Sequence, residues 1–492
     1  MNQKPLSHNS EISTMLDCET RLYIGGEWRE ASGGRRFAVV DPASEDVIAE
    51  VADGSVEDAQ AAVDAAAAAQ PAWAARAPRE RAEILRKAFD LMTADEDRLA
   101  RLIVRENGKA LPDAIGEMRY AAEFFRWFSE EAVRNLGTVS VAPASGARIL
   151  VQHKPAGVAV LITPWNFPAA MGTRKIAPAL AAGCTCVLKP AAETPLTMLA
   201  IAEILERAGV PGGVVNILPT TEAADTVSVM LRDPSVRVVS FTGSTQVGKI
   251  LLREAAEQVL APAMELGGNA PFIVLADADV DAAVAGAMVA KMRNMGEACT
   301  AANRFFVHES VHDEFADKFA AAMGALKVGN GLDDGVTVGP LVSAKARDKV
   351  ASLVDDAVAK GARVLVGGAA IDGRGYFYQP TVLADVAPTS DCLRDEIFGP
   401  VAPIMRFSTD EEAIARANDT EHGLAAYLYT RDMKRGLQVG ERLEFGMVGL
   451  NRGLVSDPAA PFGGVKQSGL GREGAHDGLM EFLETQYFSA EW

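Results

Sequence analysis

Paired cysteines, clustered histidines and long apolar runs are all missing from this chain of 492 residues. Five cysteines, an odd count in a long chain, do not read as a disulfide framework. Its six histidines form no HExxH, and no CxxC pair accompanies them, so no metal is expected. No apolar run approaches the roughly 18–20 residues that span a bilayer. Residues 1–18 are polar and lack the apolar core of a signal peptide. Positive charge is short as well: 48 basic residues face 66 acidic ones, a net of −18. Such a chain repels phosphate backbones and anionic lipid, which argues against nucleic-acid and membrane partners. A cytoplasmic location is the expectation.

The length implies two or three domains, and 49% hydrophobic with 23% charged residues is a globular composition. Residues 1–17 read as a flexible arm and 22–52 as short strands broken by turns. Ser55 and Asp58 read as a capping box opening an alanine-rich helix that ends at Pro71. Further helices run to about Leu136. Among them the cluster Phe124-Phe125-Arg126-Trp127-Phe128 reads as core packing, with a substrate tunnel as the alternative. Residues 138–155 alternate as a hairpin exposed on one face. Strand-like runs then fall at 157–162, 184–188, 214–218, 237–241 and around 261–265. Helical patterns at 169–182, 195–208 and 246–258 separate them. This is the α/β pattern of a parallel sheet covered by helices on both faces. A second α/β unit begins near Gly267, with strands near 272–275, 304–307, 363–366, 401–406, 425–429 and 447–450.

In open parallel sheets, ligands gather beyond the C-terminal ends of the strands. Cys299 follows a helical pattern that starts near Asp279, with Gly296 placed as its C-cap. A cysteine there is either a nucleophile or a buried structural thiol. Glu265 ends a strand ahead of two glycines, where a partly desolvated carboxylate can act as a general base or merely occupy a turn. Asn166 sits on a loop locked by Pro164 and Pro168, from which its amide can donate to an oxyanion or form the turn itself. Gly243 and Ser244 open a helix whose N-terminus can face a pyrophosphate. The loop is not GxGxxG, so a plain strand–helix turn fits equally well. Lys189 ends another strand, either solvated or beside an adenosine ribose.

Seven stretches together resemble the aldehyde dehydrogenase family, in order and spacing, over nearly the whole chain from about Arg21. They are Pro164-Trp-Asn-Phe-Pro, Lys189-Pro, Phe241-Thr-Gly-Ser, Glu265-Leu-Gly-Gly, Gly296-x-x-Cys299, Glu396-Ile-Phe-Gly-Pro and Pro461-Phe-Gly-Gly. The resemblance implies two doubly wound, Rossmann-like parallel-sheet domains plus a small β oligomerisation element. It divides the chain into a dinucleotide-binding domain (18–137 and 156–266), a catalytic domain (267–475) and an oligomerisation element (138–155 and 479–492), giving a homodimer or homotetramer. Cys299 would be the nucleophile, Asn166 and the Cys299 N–H the oxyanion donors, and Glu265 the activator of the deacylating water. Lys175 and Glu473 would support proton transfer. Trp165, Gly243, Ser244, Glu396 and Phe398 would contact the cofactor.

Ala192 stands where NAD-preferring relatives commonly carry a glutamate. Without that carboxylate, Lys189 is left to attract a 2′-phosphate, so NADP is expected, with NAD use possible. Within the family the sequence is most similar to succinate-semialdehyde dehydrogenases. Arg174, Arg293 and Ser456 match their clamp for the substrate's distal carboxylate, a role that suits arginine forks; structural salt bridging is the alternative. Another carboxylated or amino-substituted aldehyde, such as glutarate semialdehyde, is the runner-up. A CoA-acylating enzyme fits less well because Glu265 is present, and a catalytically silent protein because Cys299, Glu265 and Asn166 are intact. Two positions depart from the pattern. Glu297 replaces the usual glutamine, and Ala301 replaces a cysteine that forms a regulatory disulfide in some relatives, so no such switch is expected. Cys184 and Cys186 read as packing residues on a buried strand.

Overall fold

The computed structural model describes residues 18–492; the arm expected at 1–17 lies outside them. Two large mixed sheets carry the fold. The first runs in the order Glu27–Arg29, Leu22–Ile24, Val215–Ile217, Thr185–Lys189, Val158–Ile162, Val236–Thr242, Ala261–Glu265, Gly469–Leu470. Its five central strands are parallel and its edges antiparallel. The second runs Arg363–Val366, Thr381–Ala384, Val401–Phe407, Ala302–His308, Ala270–Val274, Ala425–Tyr429, Met447–Leu450, parallel except at Arg363–Val366. Strand Gly469–Leu470, which falls within the expected 267–475 unit, therefore pairs with the first sheet. The third sheet has three strands, Leu483–Ala490, Arg148–Pro155 and Thr138–Val141.

Register places the site. Ile162 pairs with Lys189 and Phe241, and Thr242 pairs with Glu265. The loops after these four strands therefore leave one edge of the first sheet together. The central strands are buried on both faces, as continuous apolar runs require. Helix Ala170–Ala182 is buried along its whole length. Its only charged residues, Arg174 and Lys175, both pair with Glu473, which is what allows them into an apolar layer.

Several boundaries differ from the sequence reading. The helix opened by the Ser55–Asp58 capping box runs Val56–Ala74 and passes through Pro71. A proline in the last turn removes only one hydrogen bond, and the buried Trp73 anchors the residues beyond it. Helix Ala223–Arg232 and strand Thr381–Ala384 add to the elements read from the sequence. Phe124, Phe125 and Phe128 lie in the core, as do Cys184 and Cys186. Among the described residues no helix is long and apolar enough to cross a membrane.

Candidate active site

The segment leading to Cys299 is the least regular part of the site. Helix Val280–Met292, capped by Asp279, stops four residues before Gly296, so Gly296 is not its C-cap. Asn294, Met295 and Gly296 all adopt left-handed backbone, with φ of 52°, 54° and 81°. That conformation costs roughly 1–2 kcal/mol for each non-glycine residue, so neighbours must hold it. The Asp113 carboxylate accepts the Asn294 N–H at 2.9 Å, and Asn294 Nδ2 donates to the carbonyls of Asn166 (2.7 Å) and Glu297 (3.1 Å). A Cβ on Gly296 would lie 2.2 Å from the Gly399 carbonyl, and one on Gly268 would lie 2.3 Å from that of Cys299. Glycine at both positions lets the two sheets' loops close around the thiol.

Asn166 is fixed from both ends. Its Nδ2 donates to the Glu297 carbonyl at 2.9 Å, which leaves its second N–H for another acceptor. Its own carbonyl accepts from Lys109 Nζ at 2.9 Å. Lys109 is fully buried, ion-paired with Glu117 and 4.1 Å from the centre of the Phe167 ring. Glu117 in turn accepts the N–H groups of Ala169 (2.9 Å) and Ala170 (3.2 Å) at the start of helix Ala170–Ala182. Sequence reasoning missed Lys109, Glu117 and Asn294. Only the asparagine carried a signal, since asparagine tolerates left-handed backbone.

Asn166, Glu265 and Cys299 line one cavity of about 250 Å³ together with Trp165, Gly243, Ser244, Glu396 and Phe398. Both Glu265 carboxylate oxygens are buried without a hydrogen-bond partner. Burial, reinforced by the field of Glu473, pushes its pKa well above the carboxylate range against Arg174, Lys175 and Arg472. Burial pushes the Cys299 thiol up to about 12, opposed by Arg174. The resting thiol is thus protonated at neutral pH and needs a base. Burial also takes Glu396 to about 7, although its carboxylate accepts the Gly268 N–H at 3.2 Å. Deeper in, Lys175 Nζ donates to Glu473 at 2.6 Å and to Ser240 Oγ at 2.9 Å. Burial opposes the charge on Glu473, but Arg174 and Lys175 outweigh it and lower its pKa.

Arg293 and Ser456 line a second cavity of about 480 Å³, together with Asp113, Tyr120, Phe167 and Asn294. The Arg293 guanidinium lies 4.7 Å from the Phe167 ring and 5.3 Å from that of Tyr120. Among the described residues no carboxylate is within ion-pair distance of it. Arg174 lines neither cavity. It is buried against Glu473, 4.2 Å from the Phe462 ring. Lys189 and Ala192 lie outside the 250 Å³ cavity, Lys189 buried, Ala192 half-buried and Glu193 exposed.

The family description "Aldehyde dehydrogenase family" matches residues 28–488. The chain belongs to the aldehyde dehydrogenase family. It is 58% identical to a succinate-semialdehyde dehydrogenase of Paenarthrobacter nicotinovorans, over 90% of this chain and 98% of that protein. It is 49% identical to a glutarate-semialdehyde dehydrogenase of Pseudomonas putida, over 95% and 97%. A solved structure described as an E. coli NADP dependent enzyme superposes with a TM-score of 0.95 at 47% identity, covering 99% of this chain and all of that one.

An aldehyde dehydrogenase needs a nicotinamide dinucleotide, and the lining of the 250 Å³ cavity suits the nicotinamide and pyrophosphate part of one. The Thr242 hydroxyl is buried with no partner. Helix Thr245–Gln258 opens there with Ser244 as its N-cap, accepting the Val247 N–H at 3.3 Å, and helix N-termini favour phosphate. Gly267 lies against Glu396, Thr245 and His422, each 3.4–3.5 Å from where a Cβ would stand. Trp165 and Phe398 stand edge to face, 5.4 Å apart at 89°.

Proposed function

We propose that this aldehyde dehydrogenase oxidises succinate semialdehyde to succinate with NADP. Support for the substrate comes from one observation above all: Arg293 shares a cavity with Ser456 and makes no ion pair among the described residues, although the Asp113 carboxylate lines the same cavity and feels its charge. A guanidinium with no ion-pair partner in so acidic a chain is suited to a carboxylate brought by the substrate. Arg174, which lines neither cavity and is paired with Glu473, acts on that carboxylate through its charge and not by contact.

Glu265, acting through water, takes the Cys299 thiol proton as the sulfur attacks the aldehyde carbon, and the oxyanion of the resulting thiohemiacetal accepts from Asn166 Nδ2 and the Cys299 N–H. A dinucleotide held beside Cys299 would supply the hydride acceptor, and loss of hydride from the adduct would leave a thioester on Cys299. Glu265 takes a proton from water, the hydroxide adds to the thioester carbon, and the carboxylate product leaves as the thiol is restored. Lys175 and Glu473 carry protons away from Glu265. Trp165, Gly243, Ser244, Glu396 and Phe398 would hold the cofactor, with Lys189 near the adenosine end. Burial holds the Lys189 pKa below its ordinary range, with only Glu193 to offset it, so a 2′-phosphate would supply the missing counter-charge. Ala192 offers no carboxylate to repel that phosphate.

Glutarate semialdehyde is the second reading, favoured by the Pseudomonas putida relative. Specificity constants for four- and five-carbon semialdehydes and for uncharged aldehydes, each with NAD and NADP, decide between them. The succinate reading fails if the five-carbon semialdehyde or butanal is preferred.

The three-stranded sheet is the proposed homodimer or homotetramer contact, spanning 138–155 and 479–492. Val139, Val141, Tyr487 and Phe488 are exposed on it, an apolar face that a monomer would leave in water.

A further inference from the structure

The cavity that holds Arg293 also contains a polar atom with no use in the fold. Tyr120, on helix Leu111–Glu131, lines it. Its ring lies beneath the Arg293 guanidinium and meets Phe124 edge-on, 4.9 Å away at 71°. Both contacts need only an aromatic ring, which phenylalanine would provide. The hydroxyl, however, is buried and has no hydrogen-bond partner. Burying an unpaired hydroxyl is unfavourable, so its presence calls for a partner that the folded chain alone does not supply. Arg174 is near enough for Tyr120 to act on it electrostatically. The tyrosine thus neighbours two guanidinium groups, one that makes no ion pair and one already committed to Glu473.

We infer that Tyr120 is a specificity-determining residue whose hydroxyl donates a hydrogen bond to the distal carboxylate of the substrate, beside Arg293 and Ser456. This rests on the carboxylated-aldehyde reading above. Guanidinium groups can only donate. A hydroxyl among them turns its lone pairs toward the cations and its proton away, and the proton then meets an anion entering the same space. Such a donor adds direction to a site that charge alone would leave permissive. A site built to hydrogen-bond its substrate also rejects analogues that leave the donor unpaired.

The test is Tyr120→Phe in the full-length enzyme, with Arg293→Leu alongside, assayed on succinate semialdehyde and butanal at saturating cofactor. The phenylalanine variant should raise KM for succinate semialdehyde about tenfold, as one lost charge-assisted hydrogen bond would. Its kcat should stay within about twofold, and butanal kinetics should not change. Succinate, acting as a product inhibitor, reads the same contact without turnover, and its inhibition constant should rise by a similar factor. An unchanged KM for succinate semialdehyde, or an equal loss on both aldehydes, overturns the assignment. If Arg293→Leu separates the two aldehydes while Tyr120→Phe does not, the tyrosine alone is eliminated. If neither variant separates them, the carboxylate reading of the cavity falls with it.

Discussion

Arg174 and Glu473 form a buried ion pair beneath the Phe462 ring, with Lys175 on the carboxylate's other oxygen. The arginine proposed as part of the substrate clamp is thus also a structural cation. Removing it leaves Glu473 buried with half its counter-charge, and breaking such a pair by deleting one partner costs about 3–5 kcal/mol. Arg174→Ala should therefore lose stability and kcat as well as affinity. Arg293→Ala, at a guanidinium without an ion-pair partner, should keep its denaturation midpoint and lose only carboxylated substrates. Urea melts paired with kinetics on succinate semialdehyde and butanal distinguish the two.

Asn166 has one amide N–H on the Glu297 carbonyl and the other available to an oxyanion. Asn166→Ala removes that donor, while Asn294 still holds the Glu297 carbonyl. Loss of one oxyanion donor lowers kcat by about 10²–10³. The expected variant therefore turns over slowly with near-normal cofactor affinity. Wild-type kcat in Asn166→Ala would remove the asparagine from the mechanism.

Glu265 carries a carboxyl whose pKa is raised by burial and by Glu473. It works as a base only when ionised, so deacylation should accelerate as pH rises toward that raised pKa and level off above it. Glu265→Gln should lose this acid limb, give a burst of reduced cofactor and then stall at the thioester. The thiol of Cys299, at about 12, sets a second slope. Its alkylation by iodoacetamide should rise roughly tenfold per pH unit below that value, because the thiolate is the reactive form.

Ala192→Glu places a carboxylate three residues from Lys189, where it would repel a 2′-phosphate and accept from a ribose diol. The ratio of specificity constants for NADP over NAD should fall by at least about tenfold, equivalent to 1.4 kcal/mol. An unchanged ratio would show that Ala192 does not govern the choice.

Residues proposed to act on the substrate could be picked out because their chemistry restricts their type and their loops follow strand ends. Cys299, Glu265 and Asn166 lie together as that logic required. What supports them was not legible. Lys109 lies in the break between helices Glu96–Asn107 and Leu111–Glu131 and Glu117 on the second of them, and only the fold buries them behind Asn166. The end of the helix before Cys299 was misplaced for a related reason. Gly296 is left-handed as a C-cap would be, but Asn294 and Met295 are left-handed too, held by tertiary contacts with Asp113 and Asn166. Local preference gives no notice of a turn sustained by partners more than a hundred residues away.

Glu297 gives the last prediction. It is fully buried, its Oε1 accepts the Val342 N–H at 3.2 Å, and its Oε2 has no partner. Burial raises its pKa well above the ordinary range. A carboxyl that is neutral in the folded state and ionised in the unfolded one stabilises the fold fully only below its unfolded pKa. That contribution declines as pH rises through the window up to the folded pKa, by at most about 1.4 kcal/mol per pH unit. Glutamine keeps an acceptor for Val342, offers a donor and cannot ionise. Glu297→Gln should therefore gain stability relative to the wild type as pH is raised from 5 to 8, with kcat nearly unchanged. Urea denaturation of both proteins across that range measures the difference, and two parallel stability curves would mean that Glu297 is ionised in the folded protein.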